Sequence, residues 1–140
     1  MKPKFGVFVA VGYCFSSLKN EKANIVSRKL YFDILGSHLS PCDPGCWWDT
    51  NRPTIDKYYS DIPFPKDTIT TKLSDHKSIS IKHYINYLKT LSAYRTLLRS
   101  EQIDPMPQIQ SEIMKALETT NEDMLLDIEI PFFTVSYKNI

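Results

Sequence analysis

The stretch Phe5-Gly-Val-Phe-Val-Ala-Val-Gly-Tyr13 decides how the rest of this 140-residue chain is read. It is apolar at odd and even positions alike, with no charged side chain in nine residues. A strand with one wet face alternates, whereas a run apolar throughout is expected to be covered on both faces, as in the parallel sheets of α/β folds. Lys2 and Lys4 ahead of it faintly suggest a leader peptide. The run is too short for a bilayer-spanning helix of roughly 20 residues, and no small-residue cleavage site follows Tyr13-Cys14-Phe15. It is read as a buried strand.

Working outward, Asn20 can cap a helix over residues 21–38, with Ala23, Val26, Leu30, Ile34 and Leu35 at helical spacing and Gly36 near the exit. Ser40-Pro-Cys-Asp-Pro-Gly-Cys46 is a run of turn residues that cannot continue it. Trp47-Trp48 closes this loop, Asn51-Arg52-Pro53 opens a short helix to Tyr59, and residues 61–67 form a proline-fixed linker. Ile69, Thr71 and Leu73 alternate as a strand over 68–73. Ser80 caps a helix over 81–100 with a stripe of Ile81, Tyr84, Ile85, Leu88, Leu91 and Leu98. Pro105 starts another helix, to Leu117, that buries Ile109, Ile113 and Met114. The last strand spans 124–137. Leu126, Ile128 and Ile130 hold one parity and Phe133, Val135 and Tyr137 the other, so a bulge or an edge position is needed at Pro131. Strand, helix, helical insert, strand, two helices and strand is an α/β order. About three strands of buried type make a poor free-standing sheet.

Composition narrows the partners. Seventeen basic residues stand against sixteen acidic ones, which leaves no clustered positive field for nucleic acid or an anionic membrane. Eight Tyr, seven Phe and two Trp offer large surfaces for a core or a pocket. Cys14, Cys42 and Cys46 are an odd set without an export signal, so reduced thiols and a cytoplasmic location are expected.

Few residue groups suggest chemistry. His38, Cys42 and Cys46 could ligate zinc, but their spacing of four suits a helix that Pro41, Pro44 and Gly45 forbid, so no metal site is expected. No nucleophile motif occurs. The four glycines, Gly6, Gly12, Gly36 and Gly45, stand six or more positions apart, so no glycine-rich loop can cradle a phosphate or nucleotide. Tyr13 ends its strand at the kind of position where α/β folds place ligands, or it is a core tyrosine. Trp47, Trp48 and Arg52 could wall a pocket and pair a small carboxylate, or the indoles could plug a long loop.

Several short motifs carry a resemblance that covers most of the chain. Phe5 to Tyr13 with its Gly-Tyr end, Trp47-Trp48-Asp49 with Arg52, Tyr87-Leu-Lys-Thr-Leu-Ser-Ala-Tyr94, and Asp127-Ile-Glu-Ile-Pro-Phe132 resemble the C-terminal half of class I S-adenosylmethionine-dependent methyltransferases of the fungal trans-aconitate methyltransferase type. In that family the tryptophan loop reads Tyr-Trp-Glu-Gln-Pro-Gly-Arg, and Trp usually stands where this chain has Leu91. The resemblance implies one partial α/β domain over 1–140. Residues 1–18 would form a strand and turn, 19–67 a substrate-covering helical insert, and 68–140 a strand, two helices and a final strand. The whole would be a partial Rossmann-like sheet of about three C-terminal strands. It also implies substrate contacts at Tyr13, Trp47, Trp48 and Arg52, while the S-adenosylmethionine site of the family lies on its N-terminal half. The chain alone is therefore expected to bind no cofactor and to lack activity. Two other roles fit the residues: a non-catalytic interaction module using a sheet edge, or one half of a split methyltransferase that needs a partner strand or N-terminal half and acts on a small carboxylate.

Overall fold

The computed structural model of the protein describes residues 6–13, 15–38 and 68–139. Strand β1 (Gly6–Tyr13) is followed after a short break by the two-residue β2 (Ser17–Leu18). Helix α1 (Glu21–Lys29) starts at Asn20, whose side-chain oxygen accepts the Ala23 N–H at 3.0 Å, satisfying one of the free donors of a first helical turn. The expected helix over 21–38 does not continue as one type. Leu35 N–H donates to the Leu30 carbonyl, five residues back, at 2.9 Å, so Leu30–Ile34 is a π turn and Gly36–His38 a short 3₁₀ turn. The wider turn gathers Leu30, Tyr31 and Leu35 into the core, all but fully buried.

Strand β3 (Ile69–Ser80) has twelve residues, twice the length expected from its alternation. Its second half, Ser74 to Ser78, is polar and mostly exposed, so the pairing partner rather than the residue pattern sets its length. The helix expected over 81–100 is two helices, α2 (Ile81–Leu88) and α3 (Ser92–Glu101). Thr90 turns its hydroxyl onto the Tyr87 carbonyl at 2.7 Å, a local bond that competes with helix continuation, and Leu91 is extended (φ −62°, ψ 134°). The break rotates the buried face to Ala93, Tyr94 and Leu97, leaving Leu91 and Leu98 half-buried. Helix α4 (Met106–Ala116) buries Met106, Ile109 and Ile113, with Met114 only partly covered. Asp104 anchors its start, accepting the Met106 N–H at 2.9 Å and the Tyr94 hydroxyl at 3.0 Å.

The final strand, β4 (Leu125–Asn139), is central and not an edge. β3 pairs with it from Ser80↔Leu125 to Ile69↔Ser136. On its other side β1 pairs from Tyr13↔Phe132 to Gly6↔Asn139, and β2 at Leu18↔Ile128 and Ser17↔Glu129. All these pairings are antiparallel, which corrects the expectation of a parallel sheet; β1 and β3 share a direction but lie on opposite sides of β4. Pro131 lies opposite Ser74 on the β3 side and opposite the β1–β2 break on the other, where a missing N–H interrupts no ladder. The parity change is real: Leu126 and Ile128 are buried on one face and Val135 on the other.

The core sits where α1 to α4 cover the Leu126–Ile130 end of β4. The β3–α2 junction is clipped to the start of β4: Ile81 and Lys82 donate their N–H groups to the Met124 and Glu122 carbonyls at 3.0 Å each, and Ser80 caps His83. β1 lies outside this layer. Val7, Val9, Val11 and Tyr13 are exposed, so among the described residues the strand read as covered on both faces leaves this face open, while Ala10 and Gly12 on the other are partly covered. Among the described residues no helix is long and apolar enough to cross a membrane.

Helix α4 ends in a paired-bond cap, with Glu118 N–H on the Lys115 carbonyl at 3.1 Å and Thr119 N–H on that of Met114 at 3.0 Å. The cap needs a left-handed residue, and Glu118 takes it at φ 54°, a conformation that costs a side-chain-bearing residue about 1 kcal/mol. Glu118→Gly is therefore expected to stabilise the fold by about 0.5–1 kcal/mol in denaturant unfolding; a loss of stability would contradict this account of the cap.

Candidate functional site

The break between β1 and β2 places Ser16 inside the protein, at the end of β1 where Tyr13 also lies. Its hydroxyl meets the Tyr31 hydroxyl at 3.1 Å and that of Tyr84 at 3.4 Å, and Tyr84 in turn shares a 2.6 Å hydrogen bond with Ser27. Four buried hydroxyls from the strand break, α1, the π turn and α2 thus satisfy one another. A closed network of this kind offsets the desolvation each group suffers on burial. Phe15 stacks on Tyr31 with ring centroids 3.9 Å apart, and Tyr87 lies against Tyr84 at 6.1 Å. Tyr13 stands at the rim, largely exposed, its ring 6.1 Å from that of Phe132.

Two of these phenols, Tyr31 and Tyr87, are held in their protonated form. Burial, then the neighbouring Tyr84 phenol, pushes Tyr31 well above the ordinary range, with the Ser16 hydrogen bond acting against the rise. Burial also raises Tyr87, helped by the nearby Tyr84 and Tyr13 phenols and opposed by its bond to Ser16. The network therefore holds hydroxyl donors and acceptors and no charge. It can position a polar or anionic ligand reaching Tyr13 and Tyr87, and it offers no base poised near neutral pH.

Of the residues expected at the site, Tyr13 is at the rim of this network, while Trp47, Trp48 and Arg52 lie outside the described residues. So do Cys42 and Cys46 of the weighed zinc pattern. His38 is engaged elsewhere, with Nε2 2.9 Å from Glu101, and no group of three or more metal-ligating side chains comes together among the described residues. Sequence reasoning did not identify Ser16, Ser27 and Tyr31. Ser27 and Tyr31 are four apart on one helical face, and Tyr84 and Tyr87 three apart on another, which is the signal available for them. A concavity of about 560 Å³ lies beside β2; Lys19, Asn24, His76, Ser78, Asp127 and Glu129 help line it. Ser78 is hydrogen-bonded to Asp127 there, and the mixed signs give no net field for a charged ligand.

No family model matches the chain. A protein of Dictyostelium discoideum, provisionally named a methyltransferase, is 30% identical over 121 residues, which is 85% of this chain and 43% of that protein. A solved structure from Anaeromyxobacter dehalogenans, provisionally named a type II methyltransferase, superposes with a TM-score of 0.74 over 96% of this chain and 52% of its own, at 21% identity. At that identity the likeness is one of fold. The chain is thus similar in sequence to one provisionally named methyltransferase and in fold to another, and it spans about half the length of the proteins it matches.

Three raised phenols make a direct prediction, Tyr31 and Tyr87 at the network and Tyr94 on α3. Tyr94 is pushed up to about 12 by desolvation, then by its bond to and the charge of Asp104, and Tyr31 and Tyr87 are raised as well. In the unfolded chain all phenols titrate near pH 10. Their contribution to stability is complete below pH 10 and is lost as pH rises through the higher folded values. Phenolate absorbance should show at least these three of the eight tyrosines titrating late, with unfolding advancing above pH 10. One common titration of all eight near pH 10 in the folded chain would contradict the network.

Proposed function

We propose that this chain is the substrate-side part of an S-adenosylmethionine-dependent methyltransferase and does not hold the cofactor by itself. The observation that carries this reading is the buried hydroxyl network at the end of β1, in the half-length stretch that the two methyltransferase-like proteins share with this chain. S-adenosylmethionine would need a backbone that approaches it closely, which in α/β folds is the work of glycines after a strand. The four glycines of the chain are too far apart to supply it. The residues present do not fit the cofactor.

On this reading the sheet is the C-terminal portion of a Rossmann-like sheet, and residues 19–67 belong to a substrate-covering insert. The finer kinship with the trans-aconitate type rests on Trp47-Trp48-Asp49 with Arg52 and on Tyr87 to Tyr94. It makes the methyl acceptor a small carboxylate, paired by Arg52 and bonded by the phenol hydroxyls of Tyr13 and Tyr87. The near-balanced charge and odd cysteine set fit a cytoplasmic setting.

Isothermal titration of the purified chain with S-adenosylmethionine tests this directly. No saturable binding is expected. One-to-one binding in the micromolar range would sink the reading, because the chain would then carry a cofactor site of its own.

A further inference from the structure

Ser16 makes more hydrogen bonds than it has protons to give. Its hydroxyl lies 3.1 Å from that of Tyr31 and 3.4 Å from that of Tyr84, and Tyr84 shares a further bond with Ser27 at 2.6 Å. Each hydroxyl has one proton to donate. Four hydroxyls thus bring four protons to three mutual bonds, and one proton is left over. It has no place inside the network. Tyr31, Tyr84 and Ser27 are at most 1% exposed and Ser16 is 4% exposed, and a buried donor without an acceptor is costly. The way out is Tyr87, three residues after Tyr84 on α2, with its ring 6.1 Å from that of Tyr84. Tyr87 is only partly buried, and Ser16 is hydrogen-bonded to its phenol.

The direction of the Ser16 proton decides the rest. Given to Tyr31, it leaves the Tyr31 proton without an acceptor in hydrogen-bond reach among the described residues. Given to Tyr84, it turns that phenol onto Ser27 and strands the Ser27 proton instead. Given to Tyr87, it strands none: Ser27 donates to Tyr84, Tyr84 and Tyr31 donate to Ser16, and Ser16 donates outward. We propose that Ser16 is a positioning residue that makes Tyr87 a one-way donor, its oxygen occupied by Ser16 and its proton turned to a hydrogen-bond acceptor on the ligand. Hydrogen bonds in series polarise one another, so Tyr87 selects an oxygen with lone pairs to offer, such as that of a carboxylate, over an ammonium or amide N–H group. That the acceptor belongs to a small carboxylate rests on the substrate-side reading of the chain; the direction of the donor rests on the buried bonds.

In the full 140-residue chain, Tyr87→3,5-difluorotyrosine gives fluorine signals for this phenol alone and a hydroxyl acidic enough to titrate before the fold opens in alkali. Adding Ser16→Ala should raise the titration at position 87 by about one pH unit, because a donor to the phenolate is lost. Ser16→Thr keeps a hydroxyl and should restore it. A titration that falls or stays put in Ser16→Ala overturns the proposal, since Ser16 would then accept from Tyr87 or not engage it. Ser27→Ala and Tyr31→Phe remove groups that donate toward Ser16, so neither should lower the titration at position 87. A fall of about one unit in either overturns the proposal even where Ser16→Ala does not fold, because it shows the Ser16 proton released from that side. Glutarate serves as the carboxylate probe. It should shift the fluorine signals while the phenol is protonated, with affinity at least about 5-fold weaker in Ser16→Ala. No glutarate shift together with the expected Ser16→Ala titration overturns the small-carboxylate assignment and upholds the donor direction, so the two fail separately.

Discussion

Everything described depends on β4 being held along both edges. From Phe132 to Ser136 each residue has a partner on β1 and another on β3, so the strand's backbone groups are satisfied without water. The ends of β4 then fix the rest. At its start, Met124 and Glu122 receive the first N–H groups of α2, which positions Tyr84 one turn later. In its middle, Ile128 pairs with Leu18 of β2, and Leu18 N–H is held by Asn24 of α1 at 2.9 Å. The hydroxyl network sits where these two attachments converge. Ser16 comes from the strand break, Ser27 and Tyr31 from the helix that β2 leads into, and Tyr84 from the helix clipped to β4.

Pro131 explains why the strand on one side of β4 is interrupted. A proline in a central strand removes a ladder donor. Here it lies beside the gap between β1 and β2, so sheet and proline are compatible. The same gap turns Ser16 inward. A constraint of backbone chemistry and the placement of a buried hydroxyl are therefore linked in one short stretch of chain.

Much of this was legible in the residues. The caps at Asn20 and Ser80, the helix start at Pro105 and the apolar faces of α2 and α4 all appear as expected, because each is decided by neighbours within a few positions; the change of buried parity about Pro131 is also there, but in a central strand with neither the bulge nor the edge position expected of it. What escaped is non-local. The π turn at Leu30–Ile34 exists to bring three side chains into a core that sequence spacing does not display. β3 is long because β4 offers it a partner. The break at Lys89–Leu91 hinges on one Thr90 hydroxyl choosing a backbone carbonyl. Ser16, Ser27 and Tyr31 are ordinary in sequence and meet only through the fold. For β1 the sequence leads to a strand covered on both faces, whereas Val7, Val9, Val11 and Tyr13 are exposed, because burial depends on the layers packed against a strand and not on its own residues.

The central claim is that, among the described residues, β4 is gripped on both edges while β1 is gripped on one. Amide hydrogen exchange on the isolated chain tests it most directly. In an antiparallel pair, alternate residues turn their N–H groups toward the partner and away from it. The account predicts alternating fast and slow amides from Val7 to Tyr13 and continuous protection of the β4 amides at Phe132, Thr134 and Val135. Uniformly slow exchange along β1, or fast exchange through the middle of β4, would contradict it.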